Sequence, residues 1–83
     1  MKTVSFWSAL DLIRQAAEKG PWTGDIDALL GLIVGKSKIS ASYRQWLKEE
    51  LQTEETVHAL KRRGVDFRAT GGEIRFGLFQ NGG

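Results

Sequence analysis

The sequence predicts an α+β domain: four short helices packed on one face of a C-terminal two-stranded β-hairpin. Three observations predict it. Apolar residues recur at helical spacing through Phe6 to Val34 and again through Tyr43 to Leu60. The period then switches to strand alternation from Val65 to Leu78. Glycine or a hydroxyl residue stands at nearly every change of pattern, where helices stop and start.

The first helix starts near Ser5 or Ser8, and Phe6, Ala9, Leu10, Ile13, Ala16 and Ala17 form its apolar stripe. Lys19 suits the negative C-terminal end of the dipole, Gly20 the position after the cap, and Pro21 prevents continuation. The second helix is expected after Thr23, with Asp25 and Asp27 in its first turn, where the dipole favours anions. Ile26, Leu29, Leu30, Ile33 and Val34 form its stripe. Leu32 widens it, which predicts the most buried of the helices, and Gly35 ends it.

Lys36 to Ser40 reads as a polar connector, and Ser42 as the cap of a third helix, with Gln45 in capping-box register. Tyr43, Trp46, Leu47 and Leu51 are its expected inner face. Thr53 caps a fourth helix that opens on Glu54 and Glu55, points Val57 and Leu60 inward and stops at Gly64. The tryptophans Trp7, Trp22 and Trp46 read as core fillers, because each carries large apolar area. Trp22, beside a proline in a loop, is expected to be the most exposed.

In the hairpin, a two-residue turn at Gly71-Gly72 sets Thr70 opposite Glu73, Arg68 opposite Arg75 and Phe67 opposite Phe76. Val65, Phe67, Ala69, Ile74, Phe76 and Leu78 then share one face, and Asp66, Arg68, Glu73 and Arg75 the other. Like charges directly opposite are unfavourable in an antiparallel pair, so the two arginines point to an anionic neighbour. The chain reads as one domain over residues 1–83, with Gln80 to Gly83 frayed at its end.

Composition bounds the function. The chain is 41% hydrophobic and 27% charged, which is globular rather than disordered. It holds no cysteine, so no disulfide or thiolate metal site is expected, and a cytoplasmic setting fits. The start lacks the features of a secretory leader, and no apolar run is long enough to span a membrane. His58 is the one histidine, three and four residues after Glu55 and Glu54, and a helix-surface contact accounts for that spacing. No residue cluster has catalytic or metal-ligand spacing, so neither an enzyme nor a bound cofactor or metal is expected.

Two binding functions fit. Twelve cations stand against ten anions, so placement matters more than net charge. Lys61, Arg62, Arg63, Arg68 and Arg75 are the candidate partner-binding residues. The first function is a non-catalytic adaptor, docking or inhibitor-like module whose basic hairpin and strand edge take an acidic protein segment. The second is a winged-helix-like DNA-binding protein, with the helix over 53–63 and the wing over 66–79 on phosphates. Oligomeric state is not legible in the sequence.

The segment Val57 to Gly77, VHALKRRGVDFRATGGEIRFG, resembles the start of the TubC-type N-terminal docking domains of peptide and polyketide synthetases. Leu60, Gly64, Val65, Gly72, Ile74 and Arg75 carry the resemblance: a short helix, a Gly-Val step, a strand, a glycine turn and a strand with an arginine. It implies a hairpin strand that accepts a linear segment of a partner, with basic side chains reading that segment's acids. The family continues with further helices after the hairpin, whereas this chain carries its helices before it.

Overall fold

The computed structural model describes residues 5–35 and 39–79. Its elements in order are α1 (Phe6–Glu18), β1 (Trp22–Asp25), α2 (Ile26–Val34), α3 (Ala41–Glu50), α4 (Glu54–Arg62), β2 (Val65–Thr70) and β3 (Glu73–Leu78). The class is α+β with four helices, but the sheet has three antiparallel strands in the order β1-β3-β2. The predicted hairpin is therefore not alone. Trp22–Asp25, expected as loop and helix start, pairs with β3, setting Trp22 opposite Phe76 and Gly24 opposite Ile74. A four-residue strand is too short to show its own period, and its partner lies about fifty residues downstream in sequence, so no local signal marks it.

The hairpin register is the one the sequence predicts, from Thr70 opposite Glu73 through Phe67 opposite Phe76 to Val65 opposite Leu78. Gly71 and Gly72 hold φ of 59° and 85°, the conformation a two-residue primed turn demands. The turn also feeds the next element, since the Ile26 amide donates to the Gly72 carbonyl at 3.1 Å and ties the start of α2 to the hairpin tip.

The helix ends follow capping chemistry. Ser5 accepts from the Ser8 amide, Asp25 from Ala28 and Thr53 from Thr56. Two boundaries differ from expectation. Asp25 is the N-cap of α2 rather than part of its first turn, because β1 occupies the residues before it. Ser40, not Ser42, caps α3 and accepts from the Tyr43 amide at 3.1 Å. Both serines are chemically able to cap, and α3 begins two residues earlier than expected, with Leu47 and Leu51 buried as predicted.

One apolar cluster joins every element. It includes Leu10 and Ile13 of α1, Leu29 and Leu30 of α2, Leu47 of α3, Leu60 of α4, and Phe67, Ile74 and Phe76 of the sheet. Thr56 is buried among them, a residue the sequence reading did not single out; its hydroxyl donates to the Glu50 carbonyl at 2.7 Å. That bond satisfies the buried Thr56 hydroxyl, which would be costly to leave unpaired. Leu32 and Leu78 are 43% and 42% exposed, so neither extends the core as expected. The predicted fraying of Gln80 to Gly83, and the Lys36–Lys38 part of the connector, lie outside the described residues.

The tryptophans invert their expected order. Trp7 is 63% exposed and Trp46 44%, whereas Trp22 is half-buried, stacked on Phe76 with ring centroids 5.1 Å apart. Pairing with β3 turns Trp22 onto the apolar face of the sheet, a placement its loop-like sequence context cannot disclose.

Candidate functional site

The helices cover the apolar face of the sheet and leave the other face open. On that open face the register stacks cross-strand rows. Thr23, Arg75 and Arg68 form one row, and Asp25, Glu73 and Thr70 form the next toward the turn. Asp66 and Gly77 form the row on the other side. Rows of like charge thus alternate along the strands.

Arg68 and Arg75 are both exposed and directly opposite. Arg68 finds an anion within the chain, with its Nε 3.6 Å from an Asp66 carboxylate oxygen. Both side chains of that pair are open to water, so the interaction is weak. Arg75 has no ion pair among the described residues. The floor beside them is lowered by Gly77, which exposes the backbone where a side chain would otherwise stand, with Pro21 flanking it. The result is a depression of about 410 Å³ bordered by Thr23, Asp66, Arg68 and Arg75.

The edges of the sheet differ from those of an isolated hairpin. β1 occupies the outer side of β3, so β3 is central and the four-residue β1 is the edge strand on that side. Among the described residues β2 pairs with β3 alone, which leaves the other edge of its six residues open. A cleft of about 280 Å³ runs between that edge and α4. Val57 and the 42%-exposed Phe79 give it an apolar rim, and Lys61 and Arg68 supply cations.

The five predicted residues therefore separate. Arg68 adjoins both the open face and the β2 cleft, Arg75 joins it on the face, and Lys61 joins it in the cleft. Arg62 is exposed in the last turn of α4 and lines neither depression. Arg63 turns to α1 instead, where its guanidinium donates to Asp11 at 2.6 Å and lies 5.8 Å from the Trp7 ring centroid. Position i to i+2 along a helix end does not reveal this, because the partner comes from an element fifty-two residues earlier. Val57, Phe79 and Gly77 were not predicted as site residues. Their apolar or absent side chains carry no binding signal in isolation.

The Arg63–Asp11 pair has a measurable consequence. A charge-assisted hydrogen bond on a half-buried arginine is worth more than an exposed pair. Arg63→Ala is expected to cost about 1 kcal/mol, and a double-mutant cycle with Asp11→Ala should return most of that as coupling. Additive effects in chemical denaturation would show the contact to be energetically idle.

The chain matches no protein-family model, no curated protein and no solved structure. Among the described residues no group of three or more His, Cys, Asp or Glu side chains is placed to hold a metal ion, and no helix is long and apolar enough to cross a membrane.

Proposed function

We propose that this domain is a non-catalytic protein-binding module that takes an extended, acidic segment of a partner as a fourth strand beside β2. The open edge of β2, beside a cleft with an apolar rim and two cations, carries this reading. Edge strands expose unpaired backbone groups that another strand can satisfy. Side chains of an added strand alternate between the two faces of the sheet. Those on the open face would lie beside Arg68, where an acid is favoured and would relieve the arginine pair. Those on the helix side would enter the cleft between Val57 and Phe79, where apolar groups are favoured. The resemblance of residues 57–77 to synthetase docking domains supports the same geometry.

The test starts from a randomised library of eight-residue peptides. The expected selection is acids at alternating positions with apolar residues between them. Bound peptide should slow hydrogen exchange of the β2 amides that point away from β3. Arg68→Gln with Arg75→Gln should leave the melting temperature equal or higher, since like-charge repulsion is removed. The same double variant should weaken peptide binding by about tenfold, which is roughly 1.4 kcal/mol. A loss of stability without loss of affinity would overturn the proposal.

A winged-helix-like DNA binder is the second reading. It is favoured by the short Leu51–Thr53 link between α3 and α4 and by the hairpin that follows. Against it, Glu54 and Glu55 open the would-be recognition helix, and Arg63 is committed to Asp11. Duplex binding would show a log–log salt slope of about −0.9 per phosphate neutralised. Tight, site-specific binding lost in a Lys61→Gln, Arg62→Gln variant would promote this reading over the first.

A further inference from the structure

The open edge of β2, Val65-Asp66-Phe67-Arg68-Ala69-Thr70, is complementary to itself. A two-residue turn makes Thr70 and Glu73 a hydrogen-bonded pair, and such pairs alternate along an antiparallel ladder. Thr70, Arg68 and Asp66 therefore bond to β3, as does the Gly64 carbonyl, which accepts from the Phe79 amide at 3.0 Å. Val65, Phe67 and Ala69 turn their backbone groups outward. Two antiparallel copies of β2 can pair only where these outward groups meet. With a two-fold axis at Phe67, Phe67 faces its own copy, Val65 faces Ala69, and Asp66 faces Arg68, each of the last two twice by symmetry. Moving the axis by one residue sets either Asp66 or Arg68 opposite its own copy. Opposite charges across a pair stabilise it and like charges destabilise it, so charge selects the axis at Phe67.

The rest of the edge agrees with this axis. Asp66 and Arg68 of the two copies meet as non-hydrogen-bonded pairs, in which side chains lie closest. The row Thr23, Arg75 and Arg68 then continues into Asp66 of the second copy, which sets an acid beside the opposed arginines. Directly opposite residues point to the same side of a sheet, so the apolar faces stay together and the two three-stranded sheets become one. α4 packs on β2, and the axis runs it antiparallel to its copy. The acidic first turn of each, Glu54 and Glu55, then lies toward the basic last turn of the other, Lys61 and Arg62. Antiparallel helices also oppose their dipoles favourably. Val57 and Phe79, the apolar rim of the cleft along this edge, leave water in the same step.

We infer that the β2 edge is also a homodimer interface, in which β2 pairs with β2 of a second copy about a two-fold axis at Phe67. The inference rests on the strand-accepting edge proposed above and adds its regulation: a second copy occupies the edge until an acidic partner strand displaces it. Asp66 of the second copy takes the place of the partner's acid beside Arg68. Self-pairing also covers an edge that would otherwise template aggregation. One six-residue strand and one helix flank make a small interface, so the dimer is weak, reversible and dependent on concentration.

Sedimentation equilibrium of the intact chain over a concentration series, with hydrogen exchange followed in parallel, tests this. The expected result is a monomer–dimer equilibrium in which the amides of Val65, Phe67 and Ala69 gain protection as the dimer fills. Asp66→Arg and Arg68→Asp should each weaken the dimer about tenfold, since each sets two like-charge pairs across the axis. Neither side chain is buried, so both variants should keep their fold. Mixed in equal amounts, the two variants should form a heterodimer at least as tight as the original dimer, because every pair across the axis is then opposite in sign. A chain carrying both substitutions should self-associate again. A chain that stays monomeric at every concentration, or a dimer indifferent to these reversals, would overturn the inference. A peptide of alternating glutamate and valine separates the two uses of the edge. Peptide that dissociates the dimer supports both. Peptide that binds a chain which never dimerises overturns the self-pairing alone. A charge-sensitive dimer that the peptide neither binds nor dissociates supports the self-pairing and overturns the partner-strand reading.

Discussion

Replacing Phe67 with alanine is expected to lower stability by about 3–5 kcal/mol. Phe67 is 2% exposed, the largest of the fully buried side chains, and its ring lies against Phe76 with centroids 6.0 Å apart. It sits in the middle of β2, where α4 packs on the sheet. A cavity there cannot collapse easily, because ring, strand and helix meet at one point. A chain of 83 residues has a total stability of about 4–12 kcal/mol. The variant should therefore unfold close to room temperature or melt at least about 12 °C lower. Thermal denaturation followed by circular dichroism measures this. A shift of only a few degrees would mean that the core is placed elsewhere. The same substitution should also abolish binding at the β2 edge, whereas Arg68→Ala should affect binding alone.

Trp22→Ala should have the second largest effect, about 2–3 kcal/mol, somewhat below the cost at a fully buried aromatic site. The Trp22 ring stacks on Phe76 at an interplanar angle of 16° and also lies over Gly24. A Cβ added at Gly24 would stand 2.7 Å from the Trp22 ring, so the glycine makes room for the indole. Trp22 is thus the clamp that holds a four-residue strand on β3. Without it β1 should loosen, and the β3 amides that face it should exchange faster, while the β2–β3 pairing persists. The loosened strand would expose the edge of β3 in place of that of β1. Peptide binding would then become less selective for β2, visible as added protection on β3. Unchanged exchange at Ile74 and Phe76, whose amides face β1, would show that β1 is held by backbone bonds alone.

Much of the open face of the sheet is legible in the sequence. Gly71-Gly72 allows one tight turn, and once that turn is placed, strict alternation assigns each hairpin side chain to a face. The Arg68–Arg75 row and the Phe67–Phe76 core pair follow from this alone. The cations of α4 were not equally legible. Lys61 and Arg63 are two residues apart on a helix end, yet one lines the cleft and the other is bound to Asp11. Sequence records that both are basic, but not which of them meets an internal acid.

What the sequence by itself determined is what local chemistry controls: four helices, their stops at Gly20, Gly35 and Gly64, the cap at Thr53, and the register of the hairpin. Each depends on residues within a few positions of one another, through capping bonds, dipole charge and side-chain period. Tertiary structure decided the rest. It made Trp22–Asp25 a strand, closed one side of β3, left the edge of β2 open, and set Trp7 and Trp46 outside the core. These outcomes depend on contacts between segments far apart in the chain. Their energies come from shared burial, and no single segment contains both partners of that burial.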